Sequence, residues 1–187
     1  MKILVFTEGT VLVFRAGKNL SREEKVKISQ GAGVQREERN LSYLTKAPLS
    51  PVKPDSPYDF ATHLPLGKAV EKLKTWKRQG ATIMYLTSRR IKQEIDTIKR
   101  VLKKYDFPDR KNFYFRHQNE DYRDVAERLM PDVLIEDDCE SIGGKKEMTY
   151  TFIKPGLKRK IKLIAVKEFG GIDHLPDDLD ELLKFQF

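Results

Sequence analysis

The sequence has almost no cysteine, since Cys139 is the only one among its 187 residues. A single cysteine excludes an internal disulfide and a zinc site built from several thiolates. No apolar run approaches the roughly 20 residues that a helix needs to cross a bilayer. The first apolar run is interrupted at Glu8 without a small-residue cleavage site after it, which argues against a secretory signal. These absences predict a cytoplasmic protein.

The composition is that of a globular protein, with 39% hydrophobic and 34% charged residues. The length allows one well-packed domain with a modest insertion. Its formal net charge of +8 at pH 7 is concentrated in two basic stretches, 15–46 and 145–167. They lack regularly interleaved aromatic residues and any RNA-binding or helix-turn-helix signature, so solvated charged faces are the favoured interpretation. A noncatalytic nucleic-acid or protein-binding module is kept as an alternative.

Strand and helix patterns alternate along most of the chain. Short apolar runs predict strands, and apolar residues three or four apart predict helices. The strands are expected at 2–6, 81–86, 112–116, 132–135 and 161–166, and the helices at 66–78, 90–104, 121–129 and 177–184. Strands joined by helices need crossover connections, which favour parallel pairing. The fold class is therefore predicted as α/β, a Rossmann-like, doubly wound, mostly parallel sheet.

Polar residues follow three of these strands, where ligands bind in such sheets. Thr87 and Ser88, with the amides that open a helix at Arg90, are expected to hold a phosphate group. The acidic run 136–138 offers oxygen ligands of the kind that Mg²⁺ prefers. The first strand ends in the sequence Thr-Glu-Gly-Thr at 7–10. The three strand ends together predict a single site.

The order of these motifs resembles the haloacid dehalogenase superfamily. Gly9 and Thr10 match the end of its first motif, Thr87 in YLTSR matches the second, and Asp137 and Asp138 in DVLIEDD match the last. The matches span residues 2–138. The resemblance implies a Mg²⁺-dependent phosphohydrolase with a Rossmann-like core. It also implies that a cap is inserted between the first strand and the following helix.

The first motif departs from that pattern at two positions. The resemblance places Phe6 where the family has its nucleophilic aspartate, and Glu8 where it has a second, acid/base aspartate. A phenyl ring neither attacks phosphorus nor binds a metal ion. We therefore expect a pseudoenzyme that binds a phosphorylated ligand with weak, altered or absent phosphohydrolase activity. An active metal-dependent hydrolase that uses activated water is an alternative, and Thr7, expected on the opposite face from Glu8, is a less favoured nucleophile.

The site residues follow from the strand ends and from the resemblance. Arg116 and Arg123 both precede the last motif, and Arg123 is preferred as the cation that pairs with phosphate. Mg²⁺ binding is expected to be weak or ligand-dependent. The residues are Glu8, Thr87 and Arg123 for catalysis, Phe6, Thr7, Gly9, Thr10, Ser88 and Arg89 for ligand binding, and Glu8, Asp137 and Asp138 for the metal.

The predicted organisation is a core of residues 1–12 and 64–187 with a small cap or flap insertion at 13–63. Within the insertion we expect a flap strand at 11–15 and a helix at 21–28, opened by a capping box of Ser21 and Glu24. The proline-rich segment 48–65 is expected to be irregular. A small cap leaves the site open to a phosphorylated small molecule or to a phosphorylated macromolecule.

Overall fold

The structure, a computed structural model, describes residues 1–34, 51–117 and 119–186. Five of its strands form one parallel sheet, in the order β5-β4-β1-β6-β7, and the other two form an antiparallel ribbon. The strands are β1 (Lys2–Phe6), β2 (Leu12–Val13), β3 (Leu64–Pro65), β4 (Thr82–Leu86), β5 (Phe113–Tyr114), β6 (Val133–Asp137) and β7 (Lys162–Val166).

The strand β1 lies in the middle of the sheet, between β4 and β6. Its residues Ile3, Leu4 and Val5 have no solvent exposure. A central strand of a parallel sheet is covered on both faces, which is why its sequence is continuously apolar rather than alternating. The register pairs Phe6 with Leu86, so the two strands end at the same level.

Helices cover both faces of this sheet. Leu73, Trp76 and Ile98 pack with Ile3 and Val5 on one face. The opposite face packs against the side chains Val125, Ala126 and Ile153. The helices are α1 (Arg22–Gly31), α2 (Ala69–Arg78), α3 (Lys92–Lys104), α4 (Tyr122–Leu129), α5 (Thr149–Phe152), α6 (Pro155–Lys158) and α7 (Leu179–Lys184). The predicted doubly wound, parallel α/β fold is confirmed.

The insertion begins and ends at the ribbon, where Leu12 pairs with Pro65 and Val13 with Leu64. The expected flap strand at 11–15 is shorter than predicted, because the chain enters a 3-10 turn in which the Gly17 amide donates to the Phe14 carbonyl at 3.0 Å.

The capping box that opens α1 is confirmed. The Glu24 amide donates to Ser21 Oγ at 3.2 Å, and the Ser21 amide donates to Glu24 Oε2 at 2.7 Å. Residues 51–63 are irregular apart from a 3-10 turn at Phe60–Thr62, as expected, and residues 48–50 lie outside the described residues. The prediction was wrong for Leu64–Pro65, which form β3 by pairing with β2. Across the described chain, no helix combines the length and apolar character needed to span a membrane.

Candidate functional site

A cavity of about 120 Å³ lies at the carboxyl ends of the parallel strands. The core and the insertion both contribute to its wall. The core side consists of Phe6, Glu8, Gly9, Leu12, Ser88, Arg89, Tyr122, Glu136, Asp137, Cys139, Ser141, Ile142, Glu147, Thr149, Glu168 and Phe169. The insertion side consists of Phe14, Ser29, Val34, Pro57, Tyr58, Phe60 and His63. The three strand ends selected from the sequence therefore meet at one cavity.

The Glu8 carboxylate accepts hydrogen bonds from the ends of two strands. Thr87 Oγ1 donates to Glu8 Oε1 at 2.6 Å, and Thr7 Oγ1 lies 2.8 Å from Glu8 Oε2. The Ser88 amide donates to Glu8 Oε2 at 3.2 Å, and the Ser88 hydroxyl lies 3.5 Å from the same oxygen. We call the donor groups of Thr87 and Ser88 the anion cradle. In this structure the cradle holds a side chain of the protein itself.

Two expectations about this region need correction. The helix opening was expected at Arg90, but α3 begins at Lys92 and follows Ile91 as its N-cap, so its first amides are not adjacent to the cradle in sequence. Thr7 was expected on the opposite face from Glu8, yet their side chains are hydrogen-bonded. Both residues lie beyond the last residue of β1, where the alternation of a strand no longer applies.

Asp137 ends β6 and points at the first loop. Its Oδ2 accepts from Thr10 Oγ1 at 2.8 Å, and its Oδ1 accepts from the Cys139 amide at 3.0 Å. Gly9 has a φ of +81°, and a Cβ there would lie 2.9 Å from Asp137 Oδ2, so only glycine fits without displacing the carboxylate. Burial raises the pKa of Asp137 to about 7, and the nearby Glu168 carboxylate acts in the same direction.

The other two acids of the 136–138 run are hydrogen-bonded elsewhere. Both Glu136 oxygens accept backbone amides at the start of α5, at 2.8 Å each. Asp138 accepts from Lys167 Nζ at 3.0 Å and from the Glu168 amide at 3.1 Å. Among residues 1–34, 51–117 and 119–186, no three His, Cys, Asp or Glu side chains are grouped as metal ligands. Glu8, Asp137 and Asp138 therefore do not fit a preformed Mg²⁺ site, and Mg²⁺ binding stays a prediction.

Phe6 lies at the end of β1 and lines the cavity. Its ring packs edge-on against Tyr122, with the ring centroids 5.6 Å apart at 71°. The Arg116 guanidinium stacks on the other ring of this pair, 4.0 Å from the Tyr122 centroid, and Arg116 is 1% exposed. Arg123, the cation preferred from the sequence, lies in α4 beside Asp124 and is not among the cavity-lining residues. Of the two candidates, Arg116 is the one close to the site.

Glu168 is a cavity residue that the sequence reasoning missed. Its oxygens accept from the Ser141 amide and the Ser141 hydroxyl, both at 2.6 Å. Burial raises the pKa of Glu168, while these two hydrogen bonds act in the opposite direction. Glu168 lies two residues beyond the end of β7. The strand-end rule that selected the other three motifs would have found it.

His63 was also missed, and nothing in its sequence context marks it. It is 3% exposed, and its ring contacts Phe60 with centroids 5.2 Å apart. The Pro57 carbonyl favours its protonated form, but neither ring nitrogen makes a well-formed hydrogen bond to a described residue. Burial lowers the pKa of His63 to about 4, so the ring is neutral near pH 7.

Comparison with known protein families and with curated proteins finds no match. Among solved structures, the chain is similar to a class C acid phosphatase from Bacillus anthracis with tungstate bound. The TM-score is 0.48 at 15% sequence identity, and the alignment covers 91% of this chain and 68% of the phosphatase chain. This likeness concerns the fold.

Proposed function

We propose that this protein binds a phosphorylated ligand in the cavity at the carboxyl ends of the strands, without hydrolysing it through a covalent aspartyl intermediate. The observation that carries the proposal is Phe6. It ends β1, lines the cavity and packs against Tyr122. A hydrocarbon ring at this position has no electron pair with which to attack phosphorus. Loss of a covalent nucleophile costs on the order of 10⁴ to 10⁶ in rate.

Thr7 does not replace the missing nucleophile. It has no solvent exposure, and its hydroxyl lies 2.8 Å from Glu8 and 3.3 Å from the Leu86 carbonyl. A hydroxyl whose proton is held between two acceptors at the sheet edge is not directed at a ligand in the cavity. The binding function therefore has better support than a covalent mechanism that starts from Thr7.

The charges around the cavity restrict the ligand. Among the described residues of the wall, Arg89 is the one cation and His63 is neutral near pH 7, whereas five residues carry carboxyl groups: Glu8, Glu136, Asp137, Glu147 and Glu168. A ligand with a second anionic group would be repelled by these carboxylates. The wall also carries six aromatic rings, which favour an apolar or aromatic organic group. They are Phe6, Phe14, Tyr58, Phe60, Tyr122 and Phe169. The proposed ligand class is a phosphomonoester with an uncharged, apolar organic group.

A second candidate is hydrolysis by water activated by a carboxylate. The observation that favours it is Asp137, which lines the cavity and has its pKa raised to about 7 by burial. A carboxyl group with a pKa near the working pH can take a proton from water more readily than an ordinary aspartate. This candidate predicts turnover that requires Asp137 and does not respond to the residue at position 6.

A screen of phosphomonoesters separates the two candidates. Each compound is tested for turnover and for its effect on the thermal unfolding midpoint, with Mg²⁺ and with chelator. The proteins are the wild type, Phe6→Asp, Asp137→Asn and Phe6→Leu, the last as a matched apolar control. We expect apolar monoesters to raise the wild-type midpoint without turnover, because ligands that bind only the folded state stabilise it.

Three outcomes decide the matter. Turnover by the wild type that is lost in Asp137→Asn and kept in Phe6→Leu would establish the second candidate. Turnover that appears in Phe6→Asp and not in Phe6→Leu would support the assignment of position 6 as the vacated nucleophile. If no phosphomonoester changes the unfolding midpoint or is hydrolysed, the proposed function is wrong.

A further inference from the structure

The two hydroxyls of the anion cradle, those of Thr87 and Ser88, direct their protons to one place. The Thr87 hydroxyl has a single proton, which it donates to Glu8 at 2.6 Å, while its oxygen accepts from the Arg89 amide at 3.2 Å. Since the Arg89 amide occupies an acceptor position of Thr87, the hydroxyl has its proton available for the anion. The hydrogen bond runs from Thr87 to Glu8, because a carboxylate can only accept.

Ser88 is oriented in the same way. Its hydroxyl oxygen accepts from Arg89 Nε at 2.9 Å and from Arg89 Nη2 at 2.6 Å. With two acceptor positions used by a cation, the serine proton is left to donate, and the oxygen that it faces is Glu8 Oε2 at 3.5 Å. Its amide donates to the same oxygen at 3.2 Å. The cradle is arranged to donate, which is the requirement for binding an anion.

The occupant of the cradle is a side chain that can leave it. The Glu8 side chain is partly exposed and lines the cavity, so rotation about its own bonds can move the carboxylate away while β1 stays in place. A carboxylate and a phosphate group have the same acceptor chemistry and compete for the same donors. A phosphate placed beside Glu8 without displacing it would face a like charge at short range.

We propose that Glu8 is an intramolecular competitor: its carboxylate occupies the phosphate position, and a phosphorylated ligand binds after displacing it. This inference rests on the proposed function, and it adds the group that occupies the phosphate position in the free protein and a limit on the affinity for phosphate. A tethered group competes at an effective concentration in the millimolar range or above. The wild-type protein therefore binds simple phosphate weakly, and removing the Glu8 carboxylate strengthens the binding.

The test uses inorganic phosphate as the probe and isothermal calorimetry in chelator. The variants are Glu8→Ala and Glu8→Gln, so that one of them serves if the other fails to fold. The matched control is Glu147→Ala, which removes a carboxylate from the same cavity wall but not from the cradle. A further variant combines Glu8→Ala with Thr87→Val, which deletes a cradle hydroxyl and keeps the shape of the side chain.

We expect Glu8→Ala to bind phosphate at least tenfold more tightly than the wild type, and the added Thr87→Val change to remove that gain. Glu147→Ala should gain less, because it relieves only repulsion at a distance. If the wild type binds phosphate and neither Glu8 variant binds it more tightly, the inference is overturned and the proposed function still stands. A gain that survives Thr87→Val, or is matched by Glu147→Ala, also overturns the inference. If no protein binds phosphate and no phosphomonoester stabilises the wild type, the proposed function fails as well.

Discussion

Replacing Asp137 by asparagine tests whether the centre of the cavity holds a carboxyl group that resists ionisation. The substitution keeps the shape of the side chain. Its amide oxygen can accept from the Cys139 amide, and its NH₂ group can donate to the Thr10 hydroxyl, so both contacts of Asp137 are retained. The substitution removes only the ability of the side chain at position 137 to lose a proton.

The size of the effect follows from the pKa. Burial raises the pKa of Asp137 from 3.8 to about 7, so between these values the folded state binds a proton that the unfolded state has released. The contribution of Asp137 to the free energy of unfolding therefore falls as the pH rises from about 4 to about 7. At about 1.4 kcal/mol per pH unit, the loss between pH 5 and pH 8 is about 3 kcal/mol. Asparagine does not titrate and avoids this loss.

His63 makes the wild-type profile alone uninformative. Its pKa is lowered to about 4, so its contribution to stability rises with pH through the range between about 4 and the ordinary value of 6.5. That trend opposes the trend of Asp137. The difference between the variant and the wild type removes it, because His63 is present in both proteins.

The assay is urea unfolding at pH 5 and pH 8 in chelator, followed by the fluorescence of Trp76. Trp76 is the only tryptophan and has no solvent exposure, so its emission reports unfolding of the core. At an m-value of about 2 kcal/mol/M, a change of about 3 kcal/mol corresponds to about 1.5 M urea. The difference in unfolding midpoint between Asp137→Asn and the wild type should therefore change by about 1.5 M between the two pH values. Asp180→Asn, at an exposed position, serves as control. A stability difference between Asp137→Asn and wild type that stays constant from pH 5 to pH 8 would refute the reasoning.

His63→Leu should raise the free energy of unfolding at pH 7 by about 1–2 kcal/mol, because it removes buried ring nitrogens that lack well-formed hydrogen bonds. The control His174→Leu, at an exposed position, should change the free energy of unfolding little. A destabilised His63→Leu protein would show that the ring nitrogens are hydrogen-bonded in solution. Calorimetry with Mg²⁺ on the free protein should show no binding tighter than millimolar, because Asp138 is paired with Lys167 and both Glu136 oxygens hold backbone amides. Micromolar Mg²⁺ affinity would mean that these acids rearrange into a site.

The parallel sheet was predictable from the sequence, and so was the meeting of three of its strand ends at one site. The apolar run Ile3–Val5 and the helical spacing of Ile95, Ile98 and Leu102 are local signals, and local signals survive folding when the whole pattern agrees with them. The capping box of α1 was predicted for the same reason, since both of its partners lie within four residues.

The direction of the Glu8 side chain was not predictable in this way. It depends on the register between β1 and β4, which places Thr87 and Ser88 beside the first loop although they lie about 80 positions further along the chain. The burial of His63 depends on how the insertion packs, and a lone histidine in the run Phe-Ala-Thr-His-Leu-Pro at 60–65 carries no signal of that. Arg116 was ranked below Arg123 because the sequence does not show which arginine would be covered by Tyr122.

The central position of β1 also determines how the site can move. Its backbone is hydrogen-bonded to β4 on one side and to β6 on the other, so its amides exchange with solvent only when the sheet itself opens. The loop that continues from it is held as well, since the Thr7 amide donates to Leu86 and the Leu12 amide donates to Thr7. We therefore expect hydrogen exchange at this end of the sheet to be as slow as global unfolding. The cavity can therefore adjust to a ligand by rotation of its side chains and by movement of the wall that the insertion contributes.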